Sequence, residues 1–179
     1  MNEKITLHDK LFRVMIPAEE IDRAVSRIAE QLNERFADRV PVMLGVLSGS
    51  YMFLSDLARK TTFNSELAFV KLSSYQGTES TGQVSKQFEV DMDVEGRDII
   101  IVEDIVETGH SMNYLLSLLQ EKRPASITIC TLFFKPEKFL YDFKVDYVAL
   151  SIGNEFIVGY GLDYNQLGRN LKDIYVIDE

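Results

Sequence analysis

Ile99-Ile100-Ile101-Val102 runs without a break into Glu103-Asp104-Ile105-Val106-Glu107-Thr108-Gly109-His110-Ser111, and this run limits the fold more than any other part of the chain. An apolar segment of strand length with no polar residue at alternate positions fits a strand covered on both faces, as in a parallel sheet between layers of helices. Residues 98–102 are therefore expected as a strand, with the apolar runs 42–47, 66–72, 127–134, 146–151 and 174–177 as further strands. Helical spacing lies between them. After Pro17, apolar residues recur every three or four positions at Ile21, Ala24, Val25, Ile28, Ala29 and Leu32; residues 51–60 carry Phe53, Leu54, Leu57 and Ala58; a third helix is expected over 110–122. Strands alternating with helices imply an α/β fold, a mainly parallel central sheet flanked by helices. The 179 residues suit a single domain, its core over about 16–151 and 171–179. The stretch 152–170, polar and aromatic with Gly153, Gly159, Gly161 and Gly168, breaks the alternation and is read, with N-terminal residues, as a small hood or lid.

In open α/β sheets ligands bind beyond the carboxyl ends of the strands, so the turns after Leu47, Leu72, Val102 and Phe134 are expected to converge on one crevice. The adjacent acids Glu103 and Asp104 suit vicinal sugar hydroxyls, bound directly or through a metal. Thr108-Gly109-His110-Ser111 offers unpaired N–H groups at a helix start and two hydroxyls, the makings of a phosphate site. A ribose 5-phosphate spans both halves. The polar stretch 73–86 is expected as a mobile loop. A net charge of −9 argues against a nucleic-acid surface. No apolar run approaches the roughly eighteen residues of a membrane span, the N-terminal residues lack a signal-peptide core, and the lone Cys130 lies in an apolar run without a disulfide partner; a cytoplasmic location is expected.

The order of strand, two acids, two aliphatic residues, a third acid and Thr-Gly resembles the 5-phosphoribosyl 1-pyrophosphate (PRPP) signature of type I phosphoribosyltransferases. Other segments resemble the hypoxanthine-guanine branch of that family. Leu47-Ser48-Gly49-Ser50 stands at its pyrophosphate loop, and Leu72-Ser73-Ser74-Tyr75 with Ser80-Thr81-Gly82 at its catalytic loop. Phe156-Ile157-Val158-Gly159-Tyr160-Gly161-Leu162-Asp163-Tyr164-Asn165 stands at its base-binding and metal segment, with Arg169 following.

The resemblance covers roughly residues 40–178. It implies the type I phosphoribosyltransferase fold, use of Mg2+, assembly as a homodimer or homotetramer, and transfer of a phosphoribosyl group from PRPP to a 6-oxopurine in purine salvage. By the same resemblance Glu103, Asp104, Glu107, Thr108, Gly109, His110 and Ser111 bind ribose 5-phosphate. Ser48, Gly49 and Arg169 bind pyrophosphate; Lys135, Phe156, Ile157 and Asp163 bind purine; Glu103, Asp104 and Asp163 hold magnesium. Glu107 handles a proton, while Ser74 and Tyr75 close over the reacting centre.

Two residues depart from the pattern. Glu107 stands where the family has Asp, and Ser48 where relatives commonly carry a cation, which predicts weaker PRPP binding. Lys138 and Lys144 are expected as surface charges, and His110 as a backbone donor only. The alternatives are a non-catalytic PRPP sensor of the same fold and the same reaction with xanthine.

Overall fold

In the computed structural model, which describes residues 4–72 and 93–178, five of the apolar runs form one wholly parallel sheet. Two short strands, β1 (Lys4–Leu7) and β2 (Lys10–Ile16), precede helix α1 (Ala18–Phe36). There follow β3 (Val42–Leu47), α2 (Tyr51–Lys60), β4 (Glu66–Lys71), β5 (Asp98–Val106), α3 (His110–Glu121) and β6 (Ser126–Phe134). A 3-10 turn (Pro136–Lys138) leads to β7 (Tyr147–Ser151), β8 (Ile157–Val158) and β9 (Ile174–Ile177). The large sheet runs β4-β3-β5-β6-β7.

Continuous hydrophobicity in these strands is explained by cover on both sides. Met43, Ile100, Val102 and Cys130 pack with α1 and α2, while the alternate residues Val42, Leu44, Ile99 and Ile101 pack with Met112, Leu115 and Leu119 of α3. Each such side chain taken fully out of water contributes about 1.5–3 kcal/mol before entropy is charged against it. The Cys130 thiol is enclosed, and burial pushes its pKa far up, so it behaves as a packed apolar group. No helix among the described residues is long and apolar enough to cross a membrane.

The hood is a four-stranded antiparallel sheet of order β1-β2-β9-β8. The run 174–177, expected with the main core, is corrected to this smaller sheet: as β9 it pairs with β2 and β8. The hairpin of β1 and β2 is absent from the expectations above. Its signal is the alternation of Phe12, Val14 and Ile16 with exposed Leu11 and Arg13. The two layers are tied together at the start of α1. Pro17 is its N-cap rather than a first-turn residue, and the buried Asp173 accepts the Ala18 N–H at 2.7 Å.

Candidate active site

The strand carrying the two acids is longer than expected. β5 continues to Val106 beside β6, but its pairing with β3 stops at Gly45 and Val102, so Glu103 and Asp104 lie where that edge of β5 has no strand partner. Glu103 is buried at 8% exposure, and Asp104 is half-buried. Glu103 Oε1 accepts the Asp104 N–H at 3.1 Å, and Asp104 Oδ1 accepts the Ile105 N–H at 2.8 Å. Burial, then the charge of Asp104, pushes Glu103 well above the usual carboxylate range; burial also raises Asp104. Such a pair is built for a partner with positive charge or several hydroxyls.

Two glycines bring the neighbouring loops onto Asp104. A Cβ on Gly49 would stand 1.5 Å from Asp104 Oδ2, and a Cβ on Gly161 would stand 2.0 Å from the Gly49 carbonyl oxygen. Only glycine permits so close a stack of backbone, side chain and backbone. Segment 159–163 is held there by further bonds. Tyr160 donates its hydroxyl to Asp56 of α2 at 2.5 Å, the Gly161 N–H donates to the Arg169 carbonyl at 2.9 Å, and Tyr51 donates to that same carbonyl at 3.0 Å. Ser48 is exposed at the rim of this stack, and its peptide bond with Leu47 is cis.

At the other end of the acids, Gly109 takes a left-handed conformation (φ 86°) as the N-cap of α3. The Thr108 hydroxyl accepts the His110 N–H at 3.4 Å, and Ser111 follows exposed in the first turn. Glu103, Glu107 and residues 108–112 help line a pocket of about 220 Å³, which joins Glu103 and Glu107 to the positive end of the helix. Sequence reasoning missed what backs this turn. Gly109 lies against the rings of Phe139 and Tyr141, and the His110 ring meets the Tyr141 hydroxyl at 2.6 Å. A larger cavity of about 470 Å³ opens at the opposite end of α3, among Gln120, Arg123, Ser126 and Phe143, and contains none of the expected site residues.

Lys135 is buried (5% exposed) just past β6. Its ammonium donates to Glu107 Oε1 at 2.9 Å and to the Glu155 carbonyl at 3.0 Å, which leaves one of three donors. The next residue after Glu155 is Phe156, 46% exposed, edge-on to Tyr164 at 5.8 Å; Ile157 is buried in β8. Lys138, expected as a surface charge, has a side chain 40% exposed, and its ammonium also donates to Glu107 Oε1, at 2.7 Å. The Lys138 hydrogen bond, followed by that of Lys135, holds the Glu107 carboxyl below its ordinary range.

Arg169 lies across segment 159–163, donating to the Gly161 carbonyl at 2.8 Å and pairing with Asp163 Oδ1 at 2.6 Å. Asp163 Oδ2 accepts the Gln166 N–H at 2.8 Å. Among the described residues no three His, Cys, Asp or Glu side chains gather as a ready metal cage. Of the residues expected at a metal, Glu103 is buried, Asp104 is half-buried and Asp163 is paired with Arg169; the carboxylate oxygens of Glu103 and Asp104 suit a divalent cation that takes further oxygen donors from elsewhere. Ser74, Tyr75 and the loop expected over 73–86 lie outside the described residues.

Residues 17–165 match the phosphoribosyl transferase domain family. The chain is 40% identical over 174 residues to the hypoxanthine-guanine phosphoribosyltransferase of Streptococcus pyogenes serotype M3, covering 97% of each. It is 38% identical over 172 residues to the hypoxanthine-guanine-xanthine phosphoribosyltransferase of Tritrichomonas foetus, covering 96% of this chain and 94% of that one. A crystal structure of a hypoxanthine phosphoribosyltransferase from Staphylococcus aureus has a TM-score of 0.84 to this fold at 38% identity, over 92% of this chain and 90% of that one.

Proposed function

Because this chain belongs to the phosphoribosyl transferase family, we infer that it transfers the 5-phosphoribosyl group of PRPP to hypoxanthine, and to guanine, in purine salvage. The observation that carries the choice of base is Lys135, a buried ammonium with a spare donor, tied to the carbonyl of Glu155, the residue before the exposed Phe156. A donor there suits the oxygen of a 6-oxopurine and opposes the amino group of adenine. Phe156 offers a stacking face, and the backbone at Ile157 and Asp163 borders the ring edge.

In this reading Glu103 and Asp104 accept the ribose hydroxyls, and residues 108–111 hold the 5-phosphate through N–H groups and the hydroxyls of Thr108 and Ser111. Gly49 and Arg169 face the pyrophosphate, Arg169 turning from Asp163 to do so. The bond from C1′ to the pyrophosphate oxygen breaks, a bond from C1′ to the purine ring nitrogen forms, and the proton displaced from the five-membered ring passes to Glu107. Glu103, Asp104 and Asp163 would hold magnesium, which would supply neutralising charge to the pyrophosphate. Ser74 and Tyr75 are assigned to water exclusion. A homodimer or homotetramer accompanies this reading, and Leu67 and Phe69, both exposed on the edge strand β4, offer an apolar face for it.

Pyrophosphate release with PRPP, magnesium and a panel of hypoxanthine, guanine, xanthine and adenine tests the assignment. Hypoxanthine is expected to far outrun adenine. Lys135→Met is expected to lower kcat/KM for hypoxanthine by roughly 10- to 150-fold, the worth of one charged hydrogen bond. Turnover with no base would instead favour a PRPP sensor. At the rim, Ser48→Lys restores a cation beside the pyrophosphate and is expected to lower the PRPP KM about 2- to 5-fold, as for an exposed ion pair. A KM that is unchanged or higher would show that backbone donors already suffice.

A further inference from the structure

Glu107 is gripped by two ammonium groups, and only one of them has a place in the purine site. Oε1 takes both hydrogen bonds, from Lys138 at 2.7 Å and Lys135 at 2.9 Å. Oε2 makes no hydrogen bond among the described residues. The two lysines come together because the turn Pro136–Lys138 is a 3-10 turn, in which residues three apart lie on the same side. The Lys138 N–H donates to the Lys135 carbonyl at 3.1 Å, and the Lys135 N–H donates to Val106 at 3.0 Å, which sets the turn against the end of β5. Neither nearby acid competes for these ammoniums with its carboxylate: Glu137 takes the Asn154 amide at 2.9 Å, and the Glu155 carboxylate lies over Gly153. An aspartate at position 107 would be shorter by about one C–C bond, ~1.5 Å, and would fall short of this grip on Lys138.

We propose that Lys138 is a positioning residue that clamps the longer arm of Glu107, so that Oε1 stays on the lysines while Oε2 is presented to the five-membered ring of the purine. The proposal rests on the purine-transfer reading above and adds a residue to it. The direction of the Glu107 shift agrees, since the Lys138 hydrogen bond is its largest cause. As a bare surface ion pair between two side chains each 40% exposed, the contact would do little for stability, so its effect belongs in kinetics.

The test is a double-mutant cycle measured with the full chain, PRPP, magnesium and hypoxanthine. Lys138→Met is expected to lower kcat/KM for hypoxanthine roughly tenfold, with the PRPP KM and Tm unchanged. Losing a cation raises the carboxyl, so the acidic limb of the rate profile moves to higher pH. Lys138→Arg restores both. In the Glu107→Asp background Lys138→Met adds nothing, because the shorter arm is not clamped. Titration of the Glu107 carboxyl by 13C NMR in unliganded wild type and Lys138→Met gives an answer that needs no turnover, and is expected to show the same upward movement. Wild-type turnover with an unmoved limb and carboxyl, or with additive effects in the cycle, overturns the clamp alone. A wild type inactive with every 6-oxopurine overturns the underlying reading and the clamp with it.

Discussion

Replacing the two adjacent acids together, Glu103→Gln with Asp104→Asn, is expected to weaken PRPP binding by roughly 10²- to 10⁴-fold while raising the Tm of the unliganded protein. The first number follows from two charged hydrogen bonds to the ribose at about 1.5–3 kcal/mol each. The second follows from desolvation: a buried and a half-buried carboxylate side by side oppose folding until a ligand satisfies them. Between the ordinary carboxylate range near ~4 and the raised values, the folded chain keeps protons that the unfolded chain releases. Unliganded stability therefore declines as pH rises through that window, and the double variant removes the decline. Calorimetric titration with magnesium and PRPP, beside thermal melts at several pH values, measures both. A variant that binds PRPP as the wild type does, or melts lower, contradicts the account.

Gly161→Ala is the second large effect. The new Cβ would meet the Gly49 carbonyl oxygen at 2.0 Å, a backbone atom with nowhere to turn, from a φ of +105° that side chains avoid. The conformation alone costs about 1–3 kcal/mol, and relieving the clash separates the loop carrying Asp163 from the one carrying Gly49. Misplacement of ~1 Å in such a frame lowers turnover about 10²-fold. Gly96→Ala is the control. It also has positive φ, +67°, but opens on empty space, so it is expected to carry only the conformational cost, with kcat/KM intact. Equal kinetic losses in the two variants would show that the stack of Gly161 on Gly49 does not set the site.

Where interactions are local, the residue order revealed them. Ile99 to Val102 read as a strand because neither face tolerates a polar residue, and Thr108 to Ser111 read as a helix entry because hydroxyls and a glycine follow the strand there, while the left-handed turn at Gly109 is a feature of the fold. The family and its chemistry were legible from the same residues. Less visible were contacts set by tertiary partners. Lys138 follows Pro-Glu and looks like any solvated lysine until the 3-10 turn aims it at Glu107. Tyr141 carries no motif, yet it braces His110 across 31 positions of sequence. The run 174–177 has the apolar character of a core strand, and nothing in four residues tells whether its partners belong to the large sheet or the hood. Ser74 and Tyr75, placed by resemblance alone, lie outside the described residues.

The hood has an implication for synthesis. β2, at residues 10–16, is made before α1 and the whole of the large sheet, but its partner β9 spans 174–177 and comes after that sheet. A nascent chain emerging from the ribosome can lay down the parallel sheet and the phosphate turn while β2 still waits. Phe156 and Asp163 gain their support only when β9 arrives to pair with β2 and β8, and when Asp173 reaches the start of α1. During translation the wall that carries Phe156 and Asp163 is thus the last part of the crevice to assemble, and the turn from Glu103 to Ser111 is ready before it.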